Sequence, residues 1–168
     1  MAGKTRRKAK KIRWNVSETA YENALAELPR LADAFFEQGR AVVAPPDGMA
    51  PSVHQLHAFR LEAKRFRYTL ELFQPCYGPE FETFLQSLRA IQQALGEMND
   101  SATTARLIGE GNFKGLRGRQ TFLAFLGLRM NEKAAEFRQL WSERFDARGE
   151  QRRWHEYLSG KASKEAAR

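Results

Sequence analysis

The sequence predicts an all-α protein, an antiparallel helical bundle of about four to five helices. Three observations support this fold class. Apolar residues recur at three- and four-residue steps over long segments, short loops rich in proline or glycine separate these segments, and no segment shows the alternation typical of a strand. Helices that follow one another through short connections pack antiparallel, and 168 residues suffice for one domain with a core.

The first two predicted helices are separated by a proline-rich loop. The first runs from Ser17, a suitable N-cap, to about Val43, with a kink or a short break expected at Pro29. Turn-forming residues occupy 44–51. The second helix is expected from Ser52 to Phe73, because the chain reaches Pro75 directly afterwards.

A third helix is expected from about Pro79 to Leu95, with Gly96 as its terminator. Asn99 or Asp100 can then cap a short fourth helix that continues through Ile108. These two predictions treat glycine and asparagine as local boundary signals.

A glycine-rich link, 109–118, precedes a long helix predicted from about Arg119 to Arg148. One or two further turns are expected around Trp154. The expected organisation has three parts, namely a basic, disordered tail at 1–16, a single helical bundle at 17–148, and a short helix with a frayed end at 149–168.

The positive charge of the chain is concentrated at its start. The net charge is +8, but residues 1–13 hold seven of the 28 basic residues and no acid. The rest of the chain is therefore almost neutral, and a basic binding surface depends on local placement. We expect the tail to be a solubilising arm; a nonspecific contact with nucleic acid or a membrane surface is the alternative.

Several function classes find no support in the sequence. No apolar run approaches a membrane span, and the lone cysteine, Cys76, cannot form an internal disulfide, so we expect a cytoplasmic protein without a membrane partner. His54 and His57 are spaced for a shared metal, but no third ligand stands at a matching position. No phosphate-binding glycine loop is present. We therefore expect no enzyme activity, no metal and no cofactor.

The second helix carries a row of cations beside its apolar stripe. The stripe, at steps of three and four, comprises Leu56, Phe59, Ala63, Phe66, Leu70 and Phe73. One residue further on, about 100° around the helix, stand His57, Arg60, Lys64 and Arg67. Like charges at this spacing destabilise an isolated helix, and a linear polyanion would neutralise them. The alternative is a solvated face with salt bridges to acids of adjacent helices.

Further cations lie on two other predicted helices. Arg89, with Gln92 nearby, flanks the apolar stripe of the third helix. Arg129 and Lys133 are four residues apart on the long fifth helix and could face a shared groove, although a solvated pair is the commoner explanation.

The run from Leu56 to Asp100 closely resembles the CHAD family, the conserved-histidine α-helical domain. The first part of the family pattern is matched by His57, Arg60, Lys64, Arg65, Arg67 and Tyr68, and the second by Gln92, Leu95, Gly96, Asn99 and Asp100. The resemblance implies binding of inorganic polyphosphate and association with polyphosphate granules. It also implies two related bundles around a basic channel. This chain has one copy of the histidine motif, so a homodimer could restore the channel.

The favoured hypothesis is a non-catalytic module that binds inorganic polyphosphate through His57, Arg60, Lys64, Arg65, Arg67, Arg89, Arg129 and Lys133. A nucleic-acid-binding helical protein, an accessory or regulatory subunit of an enzyme acting on phosphate polymers or triphosphates, and a purely structural bundle are the alternatives. Weak binding of nucleic acid is expected in any case, because it is also a linear phosphate polymer. Two roles stay open for His57, a titrating contact to phosphate or a neutral group that fixes the geometry through Asp100 or a backbone carbonyl.

Overall fold

A computed structural model describes residues 13–45, 48–111, 113, 115 and 117–160. Within these residues the chain forms five α-helices and one 3₁₀ turn, and no strand. The helices are α1 (Ala20–Val43), α2 (Val53–Phe73), α3 (Phe81–Glu110), α4 (Arg119–Arg144) and α5 (Glu150–Leu158), with the 3₁₀ turn at Gln74–Cys76. Helix α2 packs against both α1 and α3, α4 lies along α3, and α5 packs on α1. The predicted all-α bundle is confirmed.

The disorder predicted for 1–16 falls largely on residues 1–12, which lie outside the described residues. The predicted frayed end after 160 lies outside them as well.

Reciprocal capping boxes start the first two helices. Helix α2 has the predicted cap, Ser52, whose hydroxyl accepts from the backbone N–H of Gln55 at 3.2 Å. For α1 the predicted cap, Ser17, is wrong, since Thr19 caps the helix and exchanges hydrogen bonds with Glu22. The residue three positions after Ser17 is an alanine, which cannot return the second hydrogen bond that defines a capping box.

Helix α1 passes through Pro29 without the short break that was expected there as the alternative to a kink. The proline removes one backbone donor from the helix. Pro29 itself and its neighbours Leu28 and Ala32 are buried against the rest of the bundle. Tertiary packing therefore holds the helix together across the lost hydrogen bond.

The predicted boundary at Gly96 is wrong, because α3 continues without interruption to Glu110. Gly96 lies at the contact with α2, where an added Cβ would be 3.8 Å from Nε of Arg60. A Cβ there would make only an ordinary van der Waals contact, so the glycine neither ends the helix nor is required for the helices to pack. Asn99 and Asp100 are interior residues of α3, so the predicted capping roles and the separate fourth helix are also wrong.

The turn between α4 and α5 comes earlier than predicted. Helix α4 ends at Arg144 instead of Arg148, and its last turn buries Trp141 and Phe145 completely. The backbone then reverses at Gly149, whose φ of 86° favours glycine. The turns predicted around Trp154 form α5, and Trp154 is fully buried.

Stacked aromatic rings join four of the helices at the centre of the core. The ring of Phe35 on α1 lies 5.2 Å from Phe59 and 4.9 Å from Phe66 on α2, measured between centroids. It also contacts Trp141 of α4 at 5.7 Å, and Phe66 lies 6.0 Å from Trp154 of α5. Each such ring pair contributes about 0.5–1.5 kcal/mol of stability beyond that from burial of its apolar area. The predicted stripes of α2 and α3 are buried at every position, including Phe81, Phe84, Leu88, Ile91, Leu95 and Met98.

The crossing of α1 and α4 yields a stability prediction. An added Cβ at Gly39 would overlap the six-membered ring of Trp141. At Gly127, inside α4, an added Cβ would have open space around it. We expect Gly39→Ala to lower the free energy of unfolding by about 1–3 kcal/mol through overpacking. The control Gly127→Ala should raise it by about 0.5–1 kcal/mol through helix propensity. Denaturant unfolding followed by circular dichroism measures both, and equal stability of the two variants would contradict the close crossing.

Candidate functional site

A polar cavity of about 250 Å³ lies between α2 and α3. Three of its lining residues are cations of α2 and three are polar residues of α3, and the six are Arg60, Lys64, Arg67, Arg89, Gln92 and Gln93. Four side chains with permanent positive charge therefore meet around one small space. We refer to these six residues and the space they enclose as the cationic cavity.

Contacts between the two helices set the spacing across the cationic cavity. The side-chain amide of Gln92 donates to the backbone carbonyl of Ala63 on α2 at 2.6 Å. Beside it, the side chain of Arg60 lies next to Gly96 of α3. Both helices are anchored by their buried stripes, so the lining side chains project from fixed backbones.

Two of the four cations share an acid. Oε1 of Glu71 lies 3.4 Å from Nη1 of Arg67 and 3.5 Å from Nη2 of Arg89. Arg89 also pairs with Glu82, and this hydrogen bond is the main reason that the pKa of Arg89 is raised. Arg67 and Arg89 are therefore held in place and partly neutralised by carboxylates within the chain.

Arg67 nevertheless keeps an unused donor. Its Nε is buried and has no hydrogen-bond partner among the described residues, while its guanidinium group lies 4.8 Å from the ring centre of Tyr68. A buried donor without an acceptor is destabilising by about 1–3 kcal/mol.

The other two cations are not paired. Within the described part of the chain, neither Arg60 nor Lys64 has a hydrogen-bond or ion-pair partner, although both side chains are half-buried. Like charges so close together on one helix repel each other. The cationic cavity thus combines two compensated arginines with two uncompensated cations and favours an anion with several charges.

His57 lies on the same side of α2 but is not a lining residue of the cationic cavity. Its Nδ1 is 2.6 Å from Oδ1 of Asn99 on α3. An amide oxygen only accepts, so Nδ1 carries the hydrogen of this bond. The partner is therefore Asn99, instead of the expected Asp100 or backbone carbonyl, and the bond adds a polar link between α2 and α3.

The structure does not bring the remaining predicted residues into the cavity. Arg65 is exposed and pairs with Glu62 at 2.8 Å. Arg129 and Lys133 of α4 both contact Oε2 of Glu97, at 3.1 Å and 3.0 Å.

Glu97 connects the α4 cations with the edge of the cationic cavity. Its Oε1 accepts from Gln93, which lines the cavity. The hydrogen bond from Lys133 is the main cause of the lowered pKa of Glu97. Lys133 pairs with Glu136 as well, at 2.7 Å. Exposed Arg129 and largely covered Lys133 thus form an ion-pair network with acids of the chain next to the cavity.

Two glutamines of α3, Gln92 and Gln93, also line the cationic cavity. Neither was among the predicted binding residues; Gln92 was noted beside Arg89 and in the family pattern. Their spacing of three and four residues from Arg89 places them on its helical face, and this was the available signal.

Comparison with protein families shows that the CHAD domain matches residues 3–109, well over half of the chain. The chain therefore belongs to the CHAD domain family, and the matched region contains the whole cationic cavity. Neither the curated proteins nor the solved structures gave a match. Among the described residues, no helix is long and apolar enough to cross a membrane, and no group of three or more potential metal ligands is present.

Proposed function

We propose that this CHAD domain is a non-catalytic module that binds inorganic polyphosphate in the cationic cavity. The observation that carries the proposal is that Arg60 and Lys64, which have no acid partner among the described residues, line a polar space of about 250 Å³ together with Arg67 of the same helix and Arg89 of α3. Family membership supports the same ligand class, because CHAD domains are associated with proteins of polyphosphate and triphosphate metabolism.

The chemistry of the lining groups fits phosphate oxygens. Guanidinium groups donate forked hydrogen bonds to phosphate, an ammonium group supplies a mobile point charge, and glutamine amides add neutral donors. The α2 cations lie in a row along the helix axis, so a linear polymer contacts more of them than a single phosphate does. Guanidinium groups stay protonated and therefore bind phosphate without taking part in acid–base chemistry.

The proposal extends to location and assembly. A cytoplasmic protein with this site would associate with polyphosphate granules, and a homodimer would supply a second copy of the single histidine motif. A role as an accessory subunit of an enzyme acting on phosphate polymers is compatible with the same binding site.

The first prediction concerns ligand preference. We expect the protein to bind long-chain polyphosphate much more tightly than duplex DNA at the same salt concentration, because polyphosphate presents a denser charge to a small cavity. Affinity should fall steeply with salt through release of counterions. Gel mobility with pyrophosphate and DNA as competitors measures this preference. Equal affinity for a random DNA duplex would favour the nucleic-acid-binding alternative.

The second prediction uses two charge reversals on the same helix. Lys64→Glu places a carboxylate in the cationic cavity, whereas Arg65→Glu changes the charge equally but faces away and is paired with Glu62. We expect Lys64→Glu to weaken polyphosphate binding about tenfold or more, from the loss of about 1.5–3 kcal/mol of charge-assisted contact. Arg65→Glu should have a much smaller effect.

Titration calorimetry gives both affinities, and helical circular dichroism shows whether each variant is folded. Equal losses in the two variants would mean that only overall charge matters and that the cavity is not the site. A folded Lys64→Glu variant with normal affinity would also contradict the proposal.

The third prediction tests the role of His57. Its ring is bonded to Asn99 and does not line the cationic cavity, so we expect His57→Gln to weaken polyphosphate binding much less than Lys64→Glu does. Titration calorimetry of the two folded variants measures both losses. Equal losses would give His57 a direct contact to phosphate, contrary to a role limited to its bond with Asn99.

A further inference from the structure

Two buried polar side chains of α1 fasten the segment that precedes this helix. Asn23, which is 6% exposed, donates from its amide to the backbone carbonyl of Asn15 at 2.9 Å and accepts from the backbone N–H of the same residue at 2.8 Å. Glu27, which is 7% exposed, accepts from the backbone N–H of Arg13 at 3.2 Å. Buried polar groups are stable when they are hydrogen-bonded, and here both fix the backbone of residues 13–15. We call these contacts the N-terminal clamp.

Trp14 joins the N-terminal clamp to the C-terminal end of α2. Its ring centre lies 5.3 Å from that of Phe73, the last residue of the helix. Phe73 follows Arg67 by six positions and Arg60 by thirteen, which corresponds to about 9 Å and about 20 Å along the helix axis. Residue 13 is therefore held beside the same helix that carries the row of cations.

The segment that leads into the N-terminal clamp, residues 1–12, is strongly basic, and we call it the basic segment. It contains six lysines and arginines and no acid. Among the acids near this end of α2, Glu71 and Glu82 already pair with arginines of the cationic cavity. Glu27 pairs with Arg30 at 2.7 Å. The basic segment and the cationic cavity carry the same sign of charge, so one polyanion in contact with both would neutralise both.

The length of the basic segment permits one polymer to contact both groups. Twelve extended residues span at most about 40 Å, which exceeds the distance of about 20 Å between Phe73 and Arg60 along α2. Because the N-terminal clamp ties the basic segment to the bundle, its contact with a bound polymer is intramolecular and acts at a high effective concentration. Pyrophosphate, with two phosphates, is too short to occupy the cavity and the basic segment together.

We propose that the basic segment is a second contact for a polyphosphate chain whose other part lies in the cationic cavity, so that the protein selects long chains over short ones. The inference rests on the proposed function, because it requires a phosphate polymer in the cavity. The N-terminal clamp then has a function beyond the stability of α1, since it holds the second contact within reach of the first.

Two triple variants of the full chain test the proposal, because they remove equal charge from different places. One carries Lys8→Gln, Lys10→Gln and Lys11→Gln in the basic segment. The control carries Arg138→Gln, Arg144→Gln and Arg148→Gln, which replace exposed arginines that do not line the cationic cavity. Titration calorimetry with long-chain polyphosphate and with pyrophosphate measures the affinities, and helical circular dichroism shows whether each variant is folded.

We expect the basic-segment variant to bind long-chain polyphosphate about tenfold or more weakly than the control variant does. The slope of log affinity against log salt should be smaller in magnitude by about 2, because each neutralised charge of a single-stranded polyanion contributes about 0.7. The affinity of this variant for pyrophosphate should equal that of the wild type. Lys64→Glu, in contrast, should weaken the binding of both ligands.

Equal losses of long-chain affinity in the two triple variants would overturn the inference, because only net charge would then matter. Equal losses for pyrophosphate and the long polymer in the basic-segment variant would overturn it as well, since the segment would then act on the cavity itself. In both cases, weakened binding by Lys64→Glu would leave the proposed function standing. If Lys64→Glu binds both ligands as the wild type does, the proposed function fails and the inference fails with it.

Discussion

On α2, each residue that directly follows a member of the buried stripe lies about 100° around the helix from that stripe. These residues stand where α2 contacts α3. Burial of Leu56, Phe59 and Phe66 therefore decides where Arg60 and Lys64 point. The same contact between the helices brings Arg89 and the two glutamines of α3 to the other wall. Because the backbones are fixed by core packing, the cations stay close together despite their mutual repulsion.

The acids around the cationic cavity divide its cations into two kinds. Glu71 and Glu82 hold Arg67 and Arg89 in place, which reduces the repulsion that a cluster of four cations would otherwise produce. Arg60 and Lys64 have no such partner among the described residues, and they supply the net attraction for an anion. Under the proposed function, the carboxylates preorganise the site, and the two cations without acid partners gain contacts when phosphate oxygens bind.

Helical periodicity predicted the elements that carry the site. The buried stripes of α2 and α3 and the position of the cationic row beside them follow from steps of three and four residues. The predictions that failed depended on local signals. Gly96 and Asn99 have the residue types of helix ends, but α3 continues through both, and Asn99 is bonded to His57 of α2.

The sequence predicted only in part which of the cations are paired with an acid of the chain. Glu62 stands three residues before Arg65, so that their ion pair was available from spacing alone. The contact of Glu97 with Arg129 and Lys133 joins residues more than thirty positions apart. No local pattern predicts such a contact, because it depends on how α4 lies along α3. The unused Nε donor of Arg67 is likewise a consequence of packing.

The most direct measurement is nuclear magnetic resonance of the arginine Nε–Hε groups during titration with polyphosphate. The signals of Arg60, Arg67 and Arg89 should shift together, because all three side chains line the cationic cavity. The exposed and paired groups of Arg65 and Arg106 should change little. Shifts confined to Arg65, Arg106 or other exposed arginines, with the three cavity signals unmoved, would show that polyphosphate binds elsewhere on the protein.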